Sequence, residues 1–220
     1  MKKSLKNKIP LPDYTLGEEI TNSITHGVGT MLSITALVLC IIRSAIHRDA
    51  WAVVSSAIYG STLVVLYLMS TIYHSLARNK AKRVFRIIDH CSIFLLIAGT
   101  YTPYTLVSIR GPLGWSMFGV IWGMAIAGIV FNAIDLEKFS KISFICYLVM
   151  GWAVVMAIKP IIASVAKGGL ILLLAGGIAY SLGAVFYALG AKKKYIHSVW
   201  HVFVIIGSVL HFFSVFFYVI

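Results

Sequence analysis

With 220 residues, 60% of them hydrophobic and only 12% charged, and a mean hydropathy of +0.92, the chain is not a water-soluble domain; it is a polytopic helical membrane protein. The formal net charge of +12 does not indicate nucleic acid, because Lys and Arg fall in short turns between apolar runs, where they set topology and meet lipid headgroups. Cys40, Cys91 and Cys146 each sit alone in an apolar run and describe no disulfide framework.

The chain opens on Met1-Lys-Lys-Ser-Leu-Lys-Asn-Lys, basic like the start of a signal peptide, but polar residues and no small-residue cleavage site follow. The expectation is an uncleaved, mobile cytoplasmic arm over residues 1–17. Seven apolar runs follow, at about 22–42, 51–74, 86–108, 115–133, 142–162, 168–190 and 197–219. Each is long enough for a transmembrane helix at about 1.5 Å rise per residue. The short connections predict antiparallel neighbours in one all-α domain over 18–220, a seven-transmembrane-helix bundle. Lys and Arg number 14 in the N-terminal arm and the turns after the second, fourth and sixth runs, against 5 in the other turns. The positive-inside rule then places the N-terminus in the cytoplasm and the C-terminus outside. Small residues at helical spacing, Gly119, Gly123 and Ala127 in the fourth run and Gly176, Gly177 and Gly183 in the sixth, predict packing seams. Pro103 predicts a kink near the outer end of the third helix, with nearby Thr hydroxyls available to the freed carbonyls.

Topology assigns a depth to each ionisable residue. His74 ends the second helix, Asp89 lies one turn into the third, and His197 and His201 begin the seventh, so all four share the cytoplasmic depth. His197 and His201 are four residues apart, on one helical face, in reach of one ion. Any one interfacial histidine by itself reads as a headgroup contact, and Asp89 by itself as a partner of Arg86. Convergence of the four favours a metal centre, with His74, His197 and His201 as ligands and one position left open. Asp89 then either binds the ion or takes a proton from its water; Ser70, one turn before His74, is placed to orient a ligand or that water. Glu19, Asn22 and His26, at the start of the first helix, share a face and read either as supports holding an imidazole N–H or as a helix cap beside a packed histidine. His90, His211 and Cys91 are weaker candidates, expected to meet neighbouring helices or to pack, and His47 to be solvated.

Glu19-x-x-Asn22-x-x-x-His26, Ser70-x-x-x-His74 with Asp89 beyond it, and His197-x-x-x-His201 resemble the three motifs of the progestin and adipoQ receptor superfamily, specifically its bacterial haemolysin III branch. The resemblance covers the chain from about residue 18 in motif order and helix count. It implies a seven-helix protein of the bacterial plasma membrane with a zinc ion near the cytoplasmic face. His74, His197 and His201 match the ligands, Asp89 the residue contacting the ion's water, and Ser70 a neighbour. The superfamily in turn resembles the alkaline ceramidases, zinc-dependent lipid amidases, so an acyl-lipid amide or ester is the implied substrate and membrane lipids the implied partners. Two other readings are a membrane-sensing protein with a structural zinc and a pore-forming haemolysin, the latter opposed by a composition that supplies no soluble state.

Overall fold

Thr15, Asp49 and Asn79 cap the first three helices of the structure, a computed structural model that describes residues 9–189 and 193–220. Each side-chain oxygen accepts a backbone N–H of the first turn, which would otherwise have no partner. Helix α1 is Leu16–His47, α2 Ala50–Ser75 and α3 Lys80–Pro103, continued by a π-helical turn at Tyr104–Ile109. Then come α4, Gly111–Gly151, a 3-10 turn at Ala153–Ala157, α5, Ile158–Ser164, α6, Lys167–Leu189, and α7, Ile196–Tyr218. The described residues hold helices and turns and no strand. Among the described residues, six helical stretches are long and apolar enough to cross a membrane, so this is a multi-pass membrane protein.

The fourth and fifth predicted runs form one of those six stretches, Gly111–Ser164. Helix α4 runs through the expected loop and bends at Asp135, whose φ of −161° and ψ of 95° leave the helical region. The bend is a reversal. Asn132 Nδ2 donates to Tyr147 Oη at 3.3 Å although fifteen residues separate them, a distance of about 22 Å along a straight helix. Ser143 donates to Asn132 Oδ1 at 2.6 Å, and Asp135 Oδ1 accepts from Lys138 N at 3.1 Å to cap the returning arm. Pro103 marks the change from α to π helix rather than a simple kink; the hydroxyls of Thr102 and Thr105 take the Ala98 and Tyr101 carbonyls at 2.9 and 3.0 Å.

One core joins Tyr59, Leu63 and Tyr67 of α2 to Leu96 of α3 and Val204 and Val215 of α7; a second packs Phe94 and Ala98 of α3 against Ile121, Ala125 and Met150 of α4. The seam predicted on α4 is corrected. A Cβ at Gly119 or Gly123 would meet nothing within 4 Å, whereas one at Gly128 would lie 2.2 Å from Phe94 Cζ. Several faces of α4 carry small residues, and spacing alone does not choose between them. On α6 the seam is used at Gly176, where a Cβ would lie 2.2 Å from His211 Cδ2, and at Gly183, against Phe203 and Trp200; Gly177 has open space. Among the described glycines the tightest approach is at Gly99, where a Cβ would fall 1.9 Å from Thr62 Oγ1, itself bonded to Tyr59 O at 2.8 Å. Gly99→Ala is therefore expected to destabilise the protein by about 1–3 kcal/mol in denaturant titration in detergent, with Gly119→Ala as a control within about 0.5 kcal/mol.

The turns sort to two ends. At one, the Arg78 guanidinium reaches Leu11 O, Pro12 O and Asp13, Arg86 reaches Pro10 O and Glu137, and the Tyr195 amide donates to Glu18. Ile9 and Leu11 are buried there. At the other, Asp49 pairs with Arg110, Trp51 meets Trp115 edge to face, and Arg43 donates to Ile220 O. The Arg110 hydrogen bond holds the Asp49 carboxyl below the usual range. Residues 1–8 of the predicted arm, Lys192 of the basic turn and the predicted end of the sixth helix at 190 lie outside the described residues.

Candidate metal centre

The last turn of α2 brings His74 beside the first two turns of α7, which carry His197 and His201. All three are buried, and one ring nitrogen from each lies within 4.8 Å of the others. The ring centroids are 5.3 Å apart for His74 and His197, 5.2 Å for His74 and His201, and 4.7 Å for His197 and His201. No carboxylate or thiol of the described residues joins this set.

Hydrogen bonds decide which nitrogen each ring offers. His74 Nδ1–H donates to Glu19 Oε2 at 2.7 Å, and His201 Nδ1–H to Thr25 Oγ1 at 3.2 Å, so in both rings Nε2 carries the lone pair. The Nε2 atoms of His74, His197 and His201 are all buried and all without a hydrogen-bond partner. Three buried ring nitrogens without partners would each cost about 1–3 kcal/mol; a divalent cation satisfies all three. A tetrahedral ion with bonds of about 2.0–2.1 Å holds its ligand nitrogens about 3.4 Å apart, so the set closes on an ion by drawing in no more than about 1.4 Å. The residues fit a metal.

Helix α1 supplies the supports. Glu19 Oε1 lies 2.8 Å from the Lys82 ammonium while its Oε2 holds His74. Asn22 Oδ1 accepts from Ser198 Oγ at 2.5 Å, tying α1 to α7, and its Nδ2 lies 3.5 Å from His74 Nδ1. His26 stacks on His201 at 3.5 Å between centroids and 12° between planes, with neither nitrogen partnered. Tyr14 covers His197 at a ring distance of 5.0 Å, and burial pushes its phenol above the usual tyrosine range.

Asp89 is buried near the set without joining it. Its nearest polar partner is His90 Nδ1 at 3.4 Å. Arg86, the partner it would have as an ordinary surface carboxylate, is engaged by Glu137 and Pro10 O instead. Ser70 Oγ is buried with no partner. Asp89 and His26 line a cavity of about 140 Å³ whose walls are largely apolar, among them Ile93, Leu96, Trp200 and Val204, with Thr100, Ser181 and His211 as further polar residues. A second cavity of about 310 Å³ shares Thr100, Tyr101, Trp152 and His211 with the first.

Of the weaker candidates, His90 Nδ1–H donates to Arg86 O at 2.8 Å, and His211 Nε2–H donates across to Leu173 O of α6 at 3.0 Å. Cys91 is a free thiol 3.7 Å from Ile129 O, and His47 is exposed. Sequence reasoning passed over Glu18, Thr25, Ser198 as a bridge, and Lys82. Glu18 was detectable, since Thr15-x-x-Glu18 is a capping-box pattern: its Oε2 accepts from Thr15 N at 2.9 Å while Oε1 accepts from Tyr195 N at 2.9 Å, joining the start of α1 to the start of α7. Lys82 was counted only as a topology charge.

Residues 14–212 match the family described as Haemolysin-III related. The chain is 49% identical to Hemolysin-3 of Bacillus cereus over 203 residues, 92% of each chain, and 46% identical to the Hemolysin-3 homolog of Bacillus subtilis (strain 168), over 93% of this chain and 96% of that one. It is also 28% identical to the human monocyte to macrophage differentiation factor, over 91% of this chain and 84% of that one. With the family matched from ahead of α1 to within α7, across every residue of the histidine cluster, this chain belongs to the haemolysin III family.

Proposed function

We propose that this protein is a zinc-dependent hydrolase of acyl-lipid amide or ester bonds. It crosses the bacterial plasma membrane seven times with its N-terminus in the cytoplasm. The reversal at Asp135 supports seven crossings, because it turns the six long stretches into seven antiparallel segments. The end that gathers Arg78, Lys82, Arg86 and Lys138 supports a cytoplasmic metal centre under the positive-inside rule. Neutral imidazoles with an open position favour zinc among common divalent ions.

The observation that carries the reading is the gathering of three partnerless buried Nε2 atoms beside a largely apolar cavity, which is lined by His26, stacked on His201, and by the buried carboxylate of Asp89. Zinc bound there would polarise an acyl carbonyl and acidify a water. Asp89, which has no strong partner, would take that water's proton and return it to the departing amine or alcohol. Ser70 Oγ, buried and free, donates to the oxygen on which negative charge develops. The apolar walls hold the acyl chain and keep bulk water from it. The amide or ester class rests on the family's resemblance to the alkaline ceramidases.

Elemental analysis of detergent-purified protein, followed by a panel of labelled acyl amides and esters, tests the reading. Expected are about one zinc per chain and release of fatty acid that chelation stops and added zinc restores. Zinc without hydrolysis of any panel member would make the ion a structural clip; no zinc would remove the metal centre.

A further inference from the structure

Lys82 is almost completely buried, at 1% exposure, in a protein whose other cations mostly reach solvent. A dehydrated ammonium is costly unless each N–H finds an acceptor. Here three do: Tyr73 O and Leu76 O at 3.0 Å each, and Glu19 Oε1 at 2.8 Å. The other oxygen of the same carboxylate is 2.7 Å from His74 Nδ1. A continuous chain of charge-assisted bonds therefore runs from α3 through α1 to a ligand on α2.

We propose that Lys82 is a positioning residue of the metal centre, acting on His74 through Glu19. The inference rests on the metal reading above. Two geometric consequences follow from the chain. First, with Oε1 held by the ammonium, the carboxylate cannot rotate about its Cγ–Cδ bond, and Oε2 stays on the His74 N–H. That fixes the tautomer which leaves the Nε2 lone pair for the ion and makes the imidazole a stronger donor. Second, the carbonyls that Lys82 grips belong to Tyr73 and Leu76, on either side of His74. Glu19 and the backbone bearing the ligand are thus referred to one ammonium, and their separation does not drift as α1 and α2 move.

The competing account is local. The last carbonyls of α2 have no intrahelical partner, and a cation there caps the helix and complements its dipole. The two accounts differ in what Glu19 matters to. A cap acts on stability, with or without metal, whatever residue stands at 19. A positioning residue acts on metal affinity, and only while Glu19 is present to transmit it.

The test is a double-mutant cycle on zinc affinity, read by competition with a chromophoric chelator in detergent-purified full chain, using Lys82→Met, Glu19→Gln and the double variant. Wild-type zinc content is measured first: a wild type without zinc ends the metal reading itself, before any variant is compared. Given zinc in the wild type, Lys82→Met and Glu19→Gln are each expected to weaken binding by about 10- to 100-fold. The double variant should be no weaker than Glu19→Gln by more than a few-fold, because the two act in series. Unchanged affinity in Lys82→Met, or single effects that simply multiply in the double variant, overturns the proposal. Should Lys82→Met fail to fold, Lys82→Arg keeps a cation over the α2 carbonyls, but its planar fork does not set one N–H on each of three converging acceptors. It is expected to weaken zinc severalfold in wild type and not at all in Glu19→Gln; equal weakening in both backgrounds, or none in either, overturns the proposal as well.

Discussion

His201→Ala is expected to bring zinc content from about one per chain to near zero, with affinity falling by more than the roughly 100-fold that loss of an outer hydrogen-bond partner costs. His201 is completely buried, its Nδ1 is taken by Thr25 and its ring is held against His26, so its Nε2 is fixed toward the other two rings of the set. Thermal unfolding provides a second readout. With zinc at a thousandfold its dissociation constant, the wild type gains about 4.1 kcal/mol; His201→Ala should lose nearly all of that zinc-dependent gain. His211→Ala is the matching control, since that imidazole bonds Leu173 O within the α6 and α7 pair and lies outside the set. Full zinc occupancy in His201→Ala would show that the three rings are not the ligands.

Asp89→Asn is expected to keep the zinc and lower hydrolysis by about 10²- to 10⁴-fold, the range in which a positioned general base acts. The substitution preserves shape and removes the charge that accepts the proton. Metal should survive because no carboxylate stands within the ligand set, and the nearest polar partner of Asp89 is His90, not a ligand. The zinc assay and the hydrolysis assay divide the outcomes. Loss of zinc would make Asp89 a direct ligand, and undiminished hydrolysis would assign the base elsewhere. The wild-type site is unfavourable without an ion, because three buried Nε2 atoms have no hydrogen-bond partner. Chelation of the wild type should therefore lower its stability, and chelation of His201→Ala should not.

Hydrophobic run length, charge clustering and helical periodicity are local properties, and what depends on them was legible in the residues alone. The all-helical membrane class, the sorting of basic turns to one end, and the common face of His197 and His201 follow from them. So did the grouping of His74 with that pair, once the runs were taken as alternating in direction. Other features depend on how one helix is rotated and slid against the next. The choice of Ile121, Ala125 and Gly128 over Gly119 and Gly123 as the packed face of α4 is one. The anchoring of residues 10–13 by Arg78 and Arg86 is another, and it leaves Asp89 without the arginine partner its sequence neighbourhood suggests. Thr25 on His201 and Ser198 on Asn22 are side-chain pairs 176 residues apart, invisible to any local pattern. Sequence thus determined the all-helical membrane class and the clustering of basic turns at one end. Only the tertiary structure decided which side chains meet there, because a hydrogen bond tolerates a few tenths of an ångström while a hydrophobic face tolerates a whole helical turn.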